Sequence, residues 1–161
     1  ELIARGPHIV RSYYRAGREA AQAFDGEGFF HTGDYAARDD RGYIRITGRK
    51  KDWIRRGGQT ITPLEVEELM MSHSKVDKVA VVAMPDPRLG ERPCAYVIAM
   101  PGPALTLEEM VEYLGEKGLA RYKLPERLEL VTQIPMTSHG KVEKRVLRED
   151  IARKLEAEGG T

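Results

Sequence analysis

The pattern of apolar and polar positions divides the chain into two parts with different expected structures. In residues 1–50, short apolar or alternating runs are separated by turn residues, as where the alternating run 43–47 follows the turn sequence 39–42. Such patterns are typical of β-strands joined by tight turns. The run 28–34 predicts a short aromatic strand that ends in a Gly-Asp corner, and a helix is predicted only around residues 18–24. Because so short a set of hairpins has little core of its own, we expect residues 1–50 to be the end of a larger, β-rich upstream domain.

Residues 51–161 alternate between helical and strand patterns. The capping-box sequences 62–65 and 106–109 each precede apolar residues at helical spacing, and each predicts the start of a helix. Three buried strands are predicted, the first of them ending before Pro85, and a charged helix precedes a tail that should be disordered. These segments are 79–84, 94–100 and 128–131 for the strands, 143–155 for the helix and 158–161 for the tail. The order α-β-β-α-β-α predicts an α+β fold, a small C-terminal domain with a short mixed sheet and flanking helices.

Composition and charge exclude several classes of function. The 161 residues include 26 basic and 25 acidic side chains, a balance that gives no electrostatic reason to expect nucleic acid or an anionic membrane surface as partner. No apolar run approaches the roughly 18 residues that a membrane span needs. The single cysteine, Cys94, lies in an apolar run, so we expect it to be buried and the protein to be cytoplasmic. The four histidines show no metal-ligand spacing, so no metal site is expected, and the absence of Met before Glu1 suggests a part of a longer protein.

Three segments carry candidate chemistry: His31-Thr32-Gly33-Asp34, the basic and glycine-containing stretch 48–59 that continues into 65–67, and the loop 135–142. Each one by itself has a plain structural interpretation, because Gly-Asp and Gly-Gly pairs commonly mark turns and a lysine after glycine is usually solvated. The last segment is not a phosphate-binding P-loop, since it lacks the spaced upstream glycine and the following Ser or Thr. No Ser/His/Asp set or carboxylate pair is evident from spacing.

In this order and spacing, the three segments resemble the last motifs of the adenylate-forming superfamily, which includes acyl- and aryl-CoA synthetases, adenylation domains of non-ribosomal peptide synthetases, and luciferases. The resemblance runs from Glu1 to about Ile151, and its T-G-D, G-R-x-K-D and P-x-T-x-x-G-K motifs are highly specific as a set. The stretches 89–96 and 122–127 look most like the aryl-acid AMP ligases of siderophore synthesis, with 2,3-dihydroxybenzoate-AMP ligases as the nearest comparison. The pair Gln59-Thr60 looks nearer to general acyl-CoA synthetases.

The resemblance implies a nucleotide site and a hinge near the boundary between the two parts. Asp34 matches an aspartate that accepts hydrogen bonds from both ribose hydroxyls of ATP, a role that suits a carboxylate. Arg49 matches an arginine that contacts the ribose and phosphate side of the nucleotide. Lys51 matches the hinge, whose backbone torsions change when the C-terminal domain rotates as a mobile lid.

The resemblance also implies two functional features of this lid domain. Gly57 and Gly58 match a loop that lines the pantetheine tunnel, where the absence of side chains permits close approach of the backbone. Lys141 matches the catalytic lysine that reaches the α-phosphate and the acyl carboxylate, where its ammonium group would offset developing negative charge.

The implied parent enzyme activates a carboxylic acid with ATP and Mg²⁺ and then transfers the acyl group to the thiol of CoA or of phosphopantetheine on a carrier protein. Mg²⁺, the phosphate loop and the acyl pocket would belong mainly to the upstream N-terminal domain of the same enzyme, so we expect this chain to be inactive alone. Two alternatives are an adenylation-domain fragment of a non-ribosomal peptide synthetase and a non-catalytic binding module with the lid fold. The presence of Asp34 and Lys141 favours an enzyme.

Overall fold

The computed structural model describes residues 1–10 and 23–159. Most of the helix predicted around residues 18–24 therefore lies outside the described residues. The chain forms two compact units, Glu1–Lys51 and Asp52–Thr161. No helix in the described ranges is both long enough and apolar enough to cross a membrane.

In residues 1–10 and 23–51, the first unit contains four short strands in two antiparallel pairs, the first strand with the second and the third with the fourth. They are β1 (Ile3–Ala4), β2 (Phe30–His31), β3 (Asp34–Arg38) and β4 (Ile44–Arg49). The strand predicted at 43–47 is confirmed as β4. The aromatic strand predicted in 28–34 is β2, which is only two residues long. Its predicted Gly-Asp corner is confirmed, because Gly33 adopts a φ of 73° and Asp34 begins the next strand.

The second unit is built on a five-stranded mixed sheet. Its strands are β5 (Ile54–Arg56), β6 (Gln59–Ile61), β7 (Val76–Asp86), β8 (Gly90–Ala99) and β9 (Arg127–Leu130). The strand order is β6-β5-β8-β7, and β9 lies parallel beside β8 whereas the other pairs are antiparallel. This sheet confirms the predicted fold class. The β5–β6 hairpin is absent from the sequence prediction, because strands of three residues are too short to show an alternating pattern.

The two longest strands extend beyond their apolar runs. Pro85 lies within β7 and pairs with Glu91, so the prediction that Pro85 ends the strand is wrong. Since β7 is an edge of the sheet, a residue without an N–H group is tolerated there. β8 likewise begins at Gly90, before the predicted start at Cys94, because its polar first residues pair with the end of β7.

Three helices in residues 52–159 cover the sheet: α1 (Pro63–Met71), α2 (Leu107–Glu116) and α3 (Lys144–Gly159). Successive side chains of β7 and β8 point to opposite faces, so the sheet has a buried core on each side. Val81 and Val97 belong to the core that includes α1 and α2, and Tyr96 belongs to the core that includes α3. Burial of one large apolar side chain contributes about 1.5–3 kcal/mol. The two cores therefore stabilise the packing of the helices on both faces of the sheet.

The two predicted capping boxes behave differently. Thr106 caps α2, since its hydroxyl accepts a hydrogen bond from the Glu109 N–H at 3.2 Å. Thr62 is the residue before α1, but its side chain makes no capping hydrogen bond. The Glu65 carboxylate binds Lys123 instead, with both oxygens 2.7 Å from Nζ. The second box is thus confirmed and the first is wrong in its side-chain contacts, although the helix starts where predicted.

The C-terminal helix is longer than its sequence pattern predicts. Glu158 accepts two hydrogen bonds of 2.7 Å from the Arg127 guanidinium in β9. This bidentate pair, a strong form of ion pair, attaches the last turn of α3 to the sheet. The prediction that the tail is disordered from residue 158 is therefore wrong for 158 and 159, and 160–161 lie outside the described residues.

Candidate functional site

Asp34 and Arg49 face each other at the end of the β3–β4 ladder. The Arg49 Nε donates to Asp34 Oδ1 at 2.9 Å, and the two side chains are 49% and 24% exposed. A solvent-exposed pair of this kind contributes at most about 1 kcal/mol to stability. Among the described residues no donor contacts Asp34 Oδ2, so this oxygen can accept a hydrogen bond from a ligand hydroxyl.

The turn at residues 32–34, here called the Gly33 turn, is held by hydrogen bonds before any ligand binds. The Gly33 carbonyl accepts from the Lys50 N–H at 2.8 Å. The Thr32 hydroxyl donates to the Leu2 carbonyl at 2.8 Å and accepts from the Asp34 N–H at 3.1 Å. The backbone that carries the Asp34 carboxylate is thereby preorganised.

Glu1 contacts the same turn with its side chain. Its Oε1 accepts from the Gly33 N–H at 3.2 Å, and its Oε2 lies 3.2 Å from Lys50 Nζ and 3.4 Å from His31 Nδ1. The hydrogen bond from Lys50 is the main cause that holds the pKa of the Glu1 carboxyl below its usual range. No local sequence pattern indicates a role for Glu1, because its partners lie 30 to 49 positions away along the chain.

A cleft of about 380 Å³ opens beside the Gly33 turn. It is lined by Thr32, Gly33, Arg49, Lys50 and Lys51. Three of these five residues are basic, and the Asp34 carboxylate adjoins them. Cationic groups suit phosphates and a carboxylate suits sugar hydroxyls, so this set of donors and acceptors fits a nucleotide.

The predicted hinge residue, Lys51, lies where the chain passes from one unit to the other. It is the exposed middle residue of a short 3₁₀ turn, Lys50–Asp52. Lys50 is bonded to the first unit through Gly33, whereas the Asp52 carboxylate accepts a hydrogen bond from Arg148 of α3 in the second unit. The attachment of the chain therefore changes from one unit to the other across a single residue.

Gly57 and Gly58 form the two-residue turn of the β5–β6 hairpin. Their φ values of 54° and 84° correspond to a type I′ turn, which needs positive φ at both positions. A Cβ on Gly57 would lie 3.2 Å from Leu89 Cδ2, whereas a Cβ on Gly58 would meet nothing within 4 Å. The hairpin tip thus presents bare, exposed backbone on the surface of the second unit.

A second cleft, of about 630 Å³, lies in the second unit. It is lined by Arg56, Val111, Arg121, Tyr122, Leu124, Pro125 and Glu126. Glu126 accepts from Arg56 Nε at 2.7 Å, whereas Arg121 forms no ion pair with a described residue. Sequence analysis does not identify this cleft, because its lining comes from three separate segments.

Lys141 is presented by a braced loop, here called the Lys141 loop (residues 135–143). The Thr137 N–H donates to the Lys141 carbonyl at 2.7 Å, and the Lys141 N–H donates to the Thr137 hydroxyl at 3.1 Å. Gly140 adopts a φ of 75°, and the Glu143 N–H donates to the Pro135 carbonyl at 2.9 Å. The Lys141 side chain is exposed and makes no hydrogen bond or ion pair with the part of the chain that the structure describes.

The end of the Lys141 loop is anchored by a half-buried ion pair. Lys144, the first residue of α3, donates from Nζ to Glu67 Oε1 at 2.6 Å, and the same oxygen accepts from the Val81 N–H at 2.7 Å. The Lys144 and Glu67 side chains are 17% and 16% exposed. One carboxylate thus joins α1, β7 and the start of α3, a contact that no sequence pattern indicates.

The predicted site residues divide between the units: Asp34, Arg49 and Lys51 in the first, Gly57, Gly58 and Lys141 in the second. Cys94 is fully buried, and burial raises the pKa of its thiol to about 12, so it is protonated and inert at neutral pH. Within residues 1–10 and 23–159, no group of three or more His, Cys, Asp or Glu side chains is arranged to hold a metal ion.

Comparison with known proteins gives a consistent set of relatives. Residues 65–141 match the family model of the AMP-binding enzyme C-terminal domain. The chain is 48% identical over 98% of its length to pyochelin synthase PchD of Pseudomonas aeruginosa. Over 96% of its length it is 45% identical to the medium-chain fatty-acid–CoA ligase of Escherichia coli and 44% identical to the 2,3-dihydroxybenzoate-AMP ligase of Bacillus subtilis. In each case the chain spans 28% of the relative's length.

Solved structures show the same similarity. The anthranilate CoA ligase AuaEII in complex with anthranoyl-AMP matches with a TM-score of 0.85 and 29% identity, over 96% of this chain and 30% of that one. ATP-bound MatB from Rhodopseudomonas palustris matches with a TM-score of 0.82 and 33% identity, over 91% of this chain and 29% of that one.

Proposed function

We propose that the chain is part of an ATP-dependent acid–thiol ligase, because residues 65–141 match the family model of the AMP-binding enzyme C-terminal domain, as the resemblance to adenylate-forming enzymes predicts. In the first half-reaction a carboxylate attacks the α-phosphorus of ATP, giving an acyl- or aryl-adenylate and pyrophosphate. In the second, the thiol of CoA or of a carrier-protein phosphopantetheine attacks the acyl carbon, and AMP leaves. Mg²⁺, the phosphate loop and the acyl pocket would belong to the upstream N-terminal domain.

The observation that carries this proposal is the presentation of Lys141. Its backbone is held by Thr137 on both sides, while its side chain is exposed and unpaired within the described residues. An ammonium group on a fixed loop can enter an active site without first breaking an ion pair. In the first half-reaction it would offset the charge that develops as the carboxylate oxygen attacks phosphorus.

The first unit would supply the nucleotide contacts. Asp34 Oδ2 is available to accept from ribose hydroxyls, and Arg49 holds Oδ1 at 2.9 Å while its remaining nitrogens can meet the phosphate side of the nucleotide. The basic cleft beside the Gly33 turn supports this assignment. Asp34 and Arg49 would act by orienting the bound ATP towards the acid. Holding the two reactants in place makes their reaction nearly unimolecular.

Lys51 would be the hinge between the two half-reactions, because Lys50 is bonded to the first unit and Asp52 to the second. After adenylation, rotation about Lys51 would withdraw Lys141 and bring the Gly57-Gly58 turn to the pantetheine tunnel. The bare backbone of that turn supports close approach to a narrow thiol arm.

The relatives support a range of acids. Those named above include a siderophore enzyme, a fatty-acid ligase and an aryl-acid ligase, so we propose an aryl or fatty acyl acid as substrate. An adenylation domain of a peptide synthetase would use the same residues with a carrier protein as acceptor. A cytoplasmic enzyme agrees with a single, buried and reduced cysteine.

The test is Lys141→Ala in the full-length enzyme, with the two half-reactions assayed separately. Adenylation, measured by ATP–pyrophosphate exchange, should fall about 10²- to 10³-fold, and thioester formation from a supplied acyl-adenylate should be nearly unchanged. Folding stability should change by no more than about 0.5 kcal/mol. Lys78→Ala, which removes another exposed lysine of the second unit, is the matched control. Near wild-type adenylation by Lys141→Ala would contradict the proposal.

A further inference from the structure

Glu1 connects three segments that the proposed nucleotide site needs. Its carboxylate contacts the Gly33 turn through the Gly33 N–H, the end of β4 through Lys50 Nζ, and β2 through His31 Nδ1. Resting on the proposed function, we propose that Glu1 is a positioning residue for ATP. It holds the Gly33 turn against Lys50, so that Asp34 and Arg49 are in place before the nucleotide arrives.

The two peptide groups that flank the Gly33 Cα are each held by a hydrogen bond. The Gly33 N–H donates to Glu1 Oε1 at 3.2 Å, and the Gly33 carbonyl accepts from the Lys50 N–H at 2.8 Å. Glycine with a φ of 73° has much conformational freedom to lose, and Asp34 follows it directly. The Glu1 carboxylate fixes the peptide before Gly33, while the Lys50 N–H and the Thr32 hydroxyl hold the peptide after it. Together they fix the two torsions of Gly33, which set the direction of the Asp34 carboxylate.

The charge of Glu1 matters as well as its shape. Its side chain is 17% exposed and faces Lys50 and His31, and the other nitrogen of His31 lies 3.3 Å from Asp25 Oδ2. Charge-assisted hydrogen bonds are about twice as strong as neutral ones. A glutamine at position 1 would still accept from Gly33 but would lose the ionic contact with Lys50, so Glu1→Gln and Glu1→Ala separate the two contributions.

Glu1 is connected through its contacts to Asp34 and Arg49, the two residues proposed to bind the nucleotide. Lys50 follows Arg49 in the chain, and Arg49 is in turn bonded to Asp34 at 2.9 Å. Glu1, Gly33, Asp34, Arg49 and Lys50 therefore form a closed ring of contacts. Loss of Glu1 should loosen Asp34 and Arg49 together, which predicts an effect on recognition of the ribose hydroxyls rather than a uniform loss of activity.

The experiment compares ATP with 2′-deoxy-ATP in the full-length enzyme, by calorimetric binding and by pyrophosphate exchange. The wild type should prefer ATP, because Asp34 accepts from the 2′-hydroxyl. Glu1→Ala should raise the KM for ATP about 10-fold, raise that for 2′-deoxy-ATP less, and leave kcat at saturating nucleotide nearly unchanged. For Glu1→Gln, the KM for ATP should lie between the values for the wild type and Glu1→Ala. Glu27→Ala, which removes a carboxylate with no side-chain contact to a described residue, should match the wild type.

Three outcomes separate the hypotheses. Loss of the preference for ATP in Glu1→Ala, with smaller loss in Glu1→Gln, supports the positioning role. Equal weakening of both nucleotides, or no change in either, overturns that role, since damage to the fold alone would not distinguish a single hydroxyl. A wild-type enzyme that binds both nucleotides equally, or that shows no exchange, overturns the proposed function itself and the assignment of Asp34.

Discussion

Asp150 lies in a row of charged side chains that attaches α3 to the sheet. Its Oδ2 accepts from the Tyr96 hydroxyl at 2.7 Å and from Lys154 Nζ at 2.9 Å, and Lys154 also reaches Glu129 of β9 at 2.6 Å. The hydrogen bond from Lys154, with that from Tyr96, holds the pKa of the Asp150 carboxyl below its usual range. Burial raises the pKa of the Tyr96 phenol, so it remains a donor.

Asp150→Asn should therefore destabilise the protein in a pH-dependent way. A carboxyl whose pKa is lowered by folding contributes fully above its unfolded value and loses that contribution as the pH falls through the folded value. The difference in unfolding free energy between wild type and variant should be about 0.5–1 kcal/mol at neutral pH and should shrink towards zero below pH 3.8, the ordinary value for the group. Urea unfolding at a series of pH values measures it.

The control for this prediction is Glu149→Gln. The adjacent Glu149 carboxylate is 57% exposed and pairs with Arg145 one helical turn earlier, so its removal should change stability little at any pH. The prediction would be contradicted if the difference in unfolding free energy between wild type and Asp150→Asn stayed constant or grew at acidic pH. Lys154 and Tyr96 would then not be stabilising the charged carboxylate.

At the scale of elements, the short turn Lys50–Asp52 and the Lys141 loop have opposite construction. The Lys141 loop is braced by its own hydrogen bonds and by the Glu67–Lys144 pair. The turn is instead held at its two ends, by contacts to different units, and Lys51 between them is exposed. A loop braced by hydrogen bonds and a torsion placed between two anchored residues are what the proposed rotation of the lid would need.

Lys51→Pro should separate the half-reactions in the full-length enzyme. Proline fixes φ near about −65° and also restricts Lys50 before it, so the turn should lose the freedom that rotation requires. Adenylation should remain largely intact while thioester formation is blocked. Lys51→Ala keeps the backbone free and should support both steps. Equal loss of both steps in the proline variant would mean that Lys51 is not the hinge.

At the scale of the whole molecule, the buried hydrophobic side chains of the described residues lie in the second unit. Both faces of the five-stranded sheet are covered and carry buried cores. In the first unit, by contrast, Tyr43, Ile44 and Ile46 of the β3–β4 hairpin are 72%, 58% and 42% exposed. We propose that this hairpin contacts the upstream domain of the proposed enzyme; the chain spans 28% of the length of pyochelin synthase PchD.

Residues 1–161 alone should therefore show no ATP–pyrophosphate exchange with any carboxylic acid. The phosphate loop and acyl pocket would lie in the upstream domain, so the lysine has no substrate to act on. Correct folding of the isolated chain can be verified by protection of Cys94, which is fully buried, from alkylating reagents until denaturant is added. Measurable exchange by the folded chain would place the active site within these residues. It would contradict the proposal that the phosphate loop and acyl pocket lie in an upstream domain.

Local chemistry was enough to predict much of this protein from its sequence. The helices of the second unit and the apolar parts of β7, β8 and β9 follow from apolar patterns, and the start of α2 from Thr106 and Glu109, because these signals lie within a few residues of one another. The motif set around Asp34, Arg49 and Lys141 resembles the adenylate-forming enzymes, and the family model of the AMP-binding enzyme C-terminal domain matches residues 65–141. The roles of the individual site residues remain predictions.

Tertiary structure decided those strand ends, helix caps and ion pairs that depend on residues distant in the chain. Pro85 continues a strand because β7 is an edge, and Thr62 forms no capping bond while Glu65 binds Lys123, 58 residues away. The contacts of Glu1 with the Gly33 turn and of Glu67 with Lys144 span 32 and 77 residues. Apolar periodicity cannot predict such pairings. From the sequence alone a charged side chain is expected to be solvated, and only the fold brings its partner within hydrogen-bonding distance.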